Sequence, residues 1–106
     1  MFRFLFSPAR HLPPSKWLDV LDCSIRESQH WISCVNVSRN SPDENREYIK
    51  KTKDFLSIVQ QVDRHRDMLQ ILLRRDPKST YSISIPDDLF ELIENRILTG
   101  KTTVIC

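Results

Sequence analysis

The chain has 106 residues, 40% of them hydrophobic and 28% charged, with 16 basic and 14 acidic side chains and a net charge of +2. This length allows one domain with a thin core, and this composition excludes a disordered or membrane-spanning chain. The basic residues are mixed with acidic ones rather than concentrated on one face, so we expect no direct contact with nucleic acid.

The first residues are rich in arginine and contain no acidic side chain before Asp19. This composition is typical of mitochondrial transit peptides, whereas the prolines at positions 8, 13 and 14 break an amphipathic helix early. We predict a flexible leader over residues 1–14. A small mitochondrial assembly factor or adaptor with a cleaved presequence is an alternative interpretation of the protein.

The first helix is predicted over residues 15–34, with Ser15 as its N-cap. Its aliphatic residues recur at helical spacing, and two tryptophans lie at the margins of the stripe that they form. The stripe consists of Leu18, Leu21, Ile25 and Ile32, flanked by Trp17 and Trp31. This side of the helix is predicted to pack against the next one.

The second helix is predicted over residues 42–75, and its start is the clearest local signal in the sequence. Ser41, Pro42 and Glu44 have the spacing of a capping box with proline at the first helical position. No proline or glycine follows until Pro77, so at 1.5 Å per residue the helix is expected to be about 50 Å long.

A heptad pattern runs along this second helix, as in the seam of a coiled coil. It consists of Tyr48, Thr52, Phe55, Val59, Val62, Arg66, Leu69 and Leu73, and it is widened by Ile49, Leu56, Met68 and Leu72. The first helix can cover only part of a face this broad. We predict an all-α fold: an extended helical hairpin or coiled-coil-like bundle element with a short third helix, completed by partner chains.

An extended connector is predicted between the second and third helices. Tyr81, Ile83 and Ile85 alternate with polar residues as in a strand, but no second strand is predicted to pair with them. We expect this segment to lie against a helix or a partner.

The third helix is predicted over residues 86–98. Asp87 and Asp88 in its first turn suit the positive end of the helix dipole, and Gly100 is the expected C-cap. A C-terminal tail is predicted over residues 99–106.

No catalytic constellation follows from the residue spacing. The letters Gly100-Lys101-Thr102 are those that end a P-loop, but the motif follows a helix, and Asn95 stands where the P-loop needs its first glycine. The three histidines have no Cys, Asp or Glu at ligand spacing, and the three cysteines are too far apart for a CxxC metal site. We predict no enzyme, cofactor, metal or small-molecule ligand.

Two segments carry a spacing-dependent pattern of aromatic and aliphatic residues, "REYIKKTKDFLSIVQQVDRHRDMLQ" and "ISIPDDLFELIENR". The pattern consists of Phe55, Ile58, Val59, Gln61, Val62 and Asp63 in the first, and Ile85, Pro86, Leu89, Phe90, Leu92 and Ile93 in the second. Over roughly residues 17–96 the chain resembles the Mediator complex subunit 10 family, in a form with a divergent or truncated C-terminus.

The resemblance implies a nuclear, non-enzymatic subunit of Mediator, the coactivator that bridges gene-specific regulators and RNA polymerase II. The implied partners are other subunits of the middle module and the large scaffold subunit, with no membrane contact. From the heptad pattern and the resemblance, the expected partner interface consists of Phe55, Leu56, Val59, Val62, Leu69, Leu73, Ile85, Leu89, Phe90 and Ile93. A homodimeric coiled coil is a further alternative.

Overall fold

The computed structural model describes residues 10–99, and its architecture is all-α. In these residues the helices are α1 (Pro14–Ser33), α2 (Pro42–Asp63), α3 (Arg66–Arg75), α4 (Asp87–Leu92) and a π-helix (Ile93–Leu98) that follows α4 directly. Strands β1 (His11–Leu12) and β2 (Tyr81–Ser82) form a small antiparallel sheet. The predicted C-cap at Gly100, the tail from there onward and residues 1–9 of the predicted leader lie outside the described residues.

The starts of α1 and α2 are fixed by proline and by side-chain caps. α1 begins at Pro14, because the fixed φ of proline suits the first helical position, and Ser15 lies inside the first turn rather than at the cap. The capping box predicted for α2 is confirmed. The Ser41 hydroxyl accepts from the Glu44 N–H at 3.2 Å, and the Glu44 carboxylate accepts from the Ser41 N–H at 2.9 Å.

The prediction of one helix over residues 42–75 is wrong, because α2 ends at Asp63 and α3 begins at Arg66. His65 lies in the break with φ −107° and ψ 6°, and its Nδ1 is 3.1 Å from the Tyr81 hydroxyl. The break lets α3 contact α1, so that Leu69 becomes fully buried. A straight helix of that length has no core to cover its last turns in a chain of this size.

The expectation that the segment around Tyr81 has no strand to pair with is also wrong. The register pairs His11 with Ser82 and Leu12 with Tyr81. Beside this pair the Arg10 guanidinium forms an ion pair with Asp87 and lies 5.2 Å from the centre of the Phe90 ring. Residues 10–12, which belong to the predicted leader, are therefore attached to the start of α4.

The core lies between the α1–α2 hairpin, α3 and the segment 81–98. Its most deeply buried apolar side chains, each at most 2% exposed, are Trp17, Val20, Phe55, Ile58, Val62, Leu69, Ile83, Ile85 and Ile93. The indole N–H of Trp17 donates to the Tyr81 carbonyl at 2.9 Å, across 64 positions of sequence. This hydrogen bond connects α1 to β2 and sets the position of the C-terminal segment on the hairpin.

Candidate functional site

The side of α1 that is buried is rotated about the helix axis relative to the aliphatic stripe that the sequence predicts to be buried. Trp17 and Trp31 are 0% and 5% exposed, and the small residues Ser24 and Ser28 are buried between them, whereas Ile32 is 51% exposed. Small side chains between large rings let α2 approach closely while the rings fill the space at either end. The two tryptophans are therefore the centre of the buried side, and part of the aliphatic stripe is left toward solvent.

The α1–α2 hairpin has two long sides, and within the described residues the C-terminal segment packs on one of them. The rings of Trp31 and Tyr48 stack with their centroids 5.8 Å apart, which fixes the level at which the two helices face each other. α4 contacts α2 and the π-helix contacts α1 on one side, where the Arg96 guanidinium lies 5.8 Å from the Trp31 ring. We refer to this as the covered side.

The opposite side carries two rows of aliphatic residues. Each of these residues follows a core-facing residue by one position, as Ile32 follows Trp31 and Ile49 follows Tyr48. Each residue of a right-handed α-helix is rotated by 100° about the helix axis from the residue before it. In two antiparallel helices that face each other, the residues that follow the core-facing positions therefore point to the same side of the pair. We call this surface the open face, and it consists of Leu18, Ile25 and Ile32 of α1 with Ile49 and Leu56 of α2.

The open face is an apolar groove that is exposed at its Ile32 end, whereas at its α3 end Leu18 and Ile25 are partly buried against the core. Ile32, Leu56 and Ile49 are 51%, 44% and 37% exposed. At the α3 end, Arg66 lines a cleft with Leu18 and Ile25 and also forms a 3.0 Å ion pair with Asp63. From position 18 to position 32, α1 rises by about 21 Å, which is the length of the groove.

The spacing of the open face is that of a surface that accepts another helix. Residues 18, 25 and 32 of α1 and residues 49 and 56 of α2 recur every seven positions. Two such rows on adjacent helices form the holes into which the side chains of a third helix pack in a bundle. A helix of about 14 residues has the length to fill this groove.

The ten residues predicted to form a partner interface fall into three groups. The buried group consists of Phe55, Val62, Leu69, Ile85, Leu89, Phe90 and Ile93. Val59 is half-buried against the core, and Leu56 and Leu73 are exposed. The prediction is corrected for the buried group, since a side chain that its own chain already covers has little surface left for a partner.

Four residues of the open face are absent from the predicted interface: Leu18, Ile25, Ile32 and Ile49. Hydrophobicity alone assigns the three α1 residues to the buried side. Their strict seven-residue spacing identifies them as a separate row, and Ile49 and Leu56 are also seven positions apart.

The polar groups around Trp31 are mutually satisfied and make a structural cluster. The Glu27 side chain is buried and accepts from the Trp31 indole N–H at 3.2 Å, and the Lys51 ammonium lies 4.2 Å from the centre of the Trp31 ring. The hydrogen bond to the buried Glu27 carboxylate and the Lys51 cation beside the Trp31 ring both stabilise this end of the hairpin. These contacts hold the aromatic residues that precede Ile32 and Ile49.

The titratable residues singled out in the sequence have structural partners. His30 and His65 are half-buried beside Cys34 and Tyr81, with ring nitrogens 3.6 Å from the Cys34 sulfur and 3.1 Å from the Tyr81 oxygen. The prediction that no histidine has a cysteine at ligand spacing is wrong for His30, because Cys34 follows it by four positions. Burial raises the pKa of the Cys23 thiol above its usual value, which keeps it in its unreactive neutral form at neutral pH. Within residues 10–99 no group of three or more His, Cys, Asp or Glu side chains is placed to hold a metal ion.

No protein-family model, curated protein or solved structure matches the chain. Among the helices of residues 10–99, none is long and apolar enough to cross a membrane. The open face is the candidate functional site.

Proposed function

We propose that the protein is a non-enzymatic helical subunit of a multiprotein assembly, in which a partner helix packs into the open face. The observation that carries this proposal is the pair of heptad-spaced aliphatic rows, with Ile32, Ile49 and Leu56 each more than a third exposed. Apolar side chains in such regular rows form a binding surface rather than the scattered exposure that is normal for soluble proteins.

The size of the open face favours an assembly with several subunits over a simple pair. Covering the exposed parts of Ile32, Ile49 and Leu56 contributes about 2–4 kcal/mol, if full burial of each is worth about 1.5–3 kcal/mol. Association costs at least that much in lost rotational and translational freedom. When further subunits already hold the partner helix in place, packing it into the open face costs little additional rotational and translational freedom.

We further propose that the assembly is Mediator and that the protein acts in the nucleus, between gene-specific regulators and RNA polymerase II. The support is the resemblance of α2 and of the Ile85-to-Ile93 segment to the Mediator complex subunit 10 family. The proposed partners are the other middle-module subunits and the large scaffold subunit. The open face then takes a helix from one of them.

Co-expression with the other subunits of the Mediator middle module tests both steps. We expect the wild-type chain to copurify with the module and the double variant Ile32→Lys/Leu56→Lys to be lost from it, because two ammonium groups cannot be buried in an apolar seam. The matched control is Ser33→Lys/Ser57→Lys, which adds the same charges to the same helices one residue beyond Ile32 and Leu56, where the side chains are turned away from the open face by 100°. It should copurify normally.

The possible failures are distinguishable. If the double variant copurifies as well as the wild type, the open face is not the interface. If the wild-type chain does not copurify with the module, the assignment to Mediator is wrong. A wild-type chain that stays monomeric and captures no helical partner contradicts the whole proposal.

A further inference from the structure

The outward side of α3 is a second exposed surface, separate from the open face. Leu69 is the buried residue of this ten-residue helix, while Met68 and Ile71, one turn apart, are each 46% exposed. Ile71 and Arg74 also line a shallow depression together with Asp67 and Gln70. We call the surface formed by Met68, Ile71, Arg74 and Arg75 the α3 surface.

The α3 surface lies in a positively charged part of the chain. Residues 64–78 carry five basic and two acidic side chains, a net charge of +3 that exceeds the +2 of the whole protein. Arg66 is paired with Asp63, whereas Arg74 and Arg75 form no ion pair with any residue of the segment 10–99. Two unpaired guanidinium groups beside two exposed apolar side chains favour a ligand that is both apolar and negatively charged.

We propose that the α3 surface binds an acidic amphipathic helix of a partner protein. Aliphatic side chains of that helix contact Met68 and Ile71, and the unbranched thioether of Met68 adapts to their shape. Its carboxylates pair with Arg74 and Arg75, whose planar guanidinium groups bind carboxylates through two parallel hydrogen bonds. α3 is about 15 Å long, so it matches a partner segment of about ten residues.

Other anionic ligands fit this surface less well. A nucleic acid provides phosphates for the two arginines but leaves Met68 and Ile71 exposed. A lipid surface requires a broad apolar face that can enter the headgroup region. α3 offers two strongly exposed apolar positions on this side, and its buried Leu69 holds it against the core.

Two fluorescent model peptides of about 20 residues, a length at which isolated helices form, serve as probes. One has leucine on one face and glutamate on the other, and the second has lysine in place of glutamate. We expect the full chain to bind the glutamate peptide and not the lysine peptide. The Kd for the glutamate peptide should rise about tenfold between about 50 and 500 mM NaCl, because salt screens the charge pairs.

Charge reversal provides the decisive comparison. Arg74→Glu/Arg75→Glu should weaken binding of the glutamate peptide at least about tenfold and create binding of the lysine peptide. Met68→Ser/Ile71→Ser should also weaken binding without changing the charge. The control Lys16→Glu/Arg39→Glu reverses two exposed charges elsewhere and should bind like the wild type.

The inference goes beyond the proposed function and stands apart from it. Ile32→Lys/Leu56→Lys, which disrupts the open face, should keep its affinity for the glutamate peptide. Equal binding of both peptides, or undiminished binding by the charge-reversed variant, overturns the inference. So does a preference for duplex DNA or for phosphatidylserine vesicles over the glutamate peptide.

Discussion

The two sides of the α1–α2 hairpin use different kinds of apolar residue. Phe55 and Leu56 are neighbours in sequence, yet Phe55 is 1% exposed on the covered side and Leu56 is 44% exposed on the open face. The covered side has the aromatic rings, and the indole N–H groups of Trp17 and Trp31 bond to Tyr81 and Glu27. The open face has only isoleucine and leucine.

This difference separates the apolar residues that the chain must bury from those that it can leave exposed. A tryptophan needs a hydrogen-bond acceptor for its N–H as well as apolar cover, and the chain provides both on the covered side. Isoleucine and leucine side chains have no polar atom to satisfy, so exposure leaves no hydrogen-bonding group of theirs without a partner atom. On this amphipathic pair of helices the large aromatic rings of Trp17, Trp31 and Phe55 are therefore all buried, and the open face is aliphatic.

The largest expected effect is on the covered side. Phe55→Ala should lower the free energy of unfolding by about 3–5 kcal/mol, because it leaves a cavity in the core that the surrounding residues fill only in part. Urea unfolding followed by circular dichroism measures the change. The matched control Leu56→Ala should lose less than about 1 kcal/mol. Equal losses at the two positions would mean that both sides of the hairpin are buried in the isolated protein.

A smaller effect is expected where the covered side is joined to β2. Trp17→Phe keeps an aromatic ring but removes the donor to the Tyr81 carbonyl. Leaving that carbonyl without its partner should cost about 1–3 kcal/mol of stability, measured in the same urea titrations. Amide hydrogen exchange should show faster exchange at Ile83, whose N–H bonds to the Arg10 carbonyl next to this contact. Unchanged stability and exchange would show that the ring alone positions the segment.

The smallest effect is expected on the open face. Leu56→Ser should change the free energy of unfolding of the isolated chain by no more than about 0.5 kcal/mol, since the side chain is 44% exposed and has few contacts to lose. Urea titration at several protein concentrations tests this. A loss that grows with protein concentration would identify a second copy of the chain as the partner at this face.

Local chemistry made part of the fold predictable. The capping box of Ser41 and Glu44 depends on residues three positions apart, and it is present as expected. The all-α class and the start of α2 follow from the same kind of short-range signal. Contacts between distant residues were not predictable, because β1 and β2 have two residues each and carry no pattern of their own.

The same limit applies to the candidate site. The heptad pattern predicted an apolar face on α2 broader than α1 could cover, and the exposed positions of Ile49 and Leu56 agree with this. Which residues of α1 face the core depended on side-chain volume, since Ser24 and Ser28 are buried between two tryptophans. A hydrophobicity pattern ranks serine below isoleucine, so it placed the buried side on Ile25 and Ile32.

The pairing of β1 with β2 has a consequence for the order in which the molecule assembles. It joins His11 to Ser82, which lie far apart in the sequence, whereas Trp31 and Tyr48 are joined through one short connection. The entropy lost on closing a loop increases with its length, so the hairpin forms at less cost than the sheet. Until the sheet closes, both sides of the hairpin are uncovered. During that interval the aromatic side chains of the hairpin are exposed, and they become buried only when the C-terminal segment packs on them.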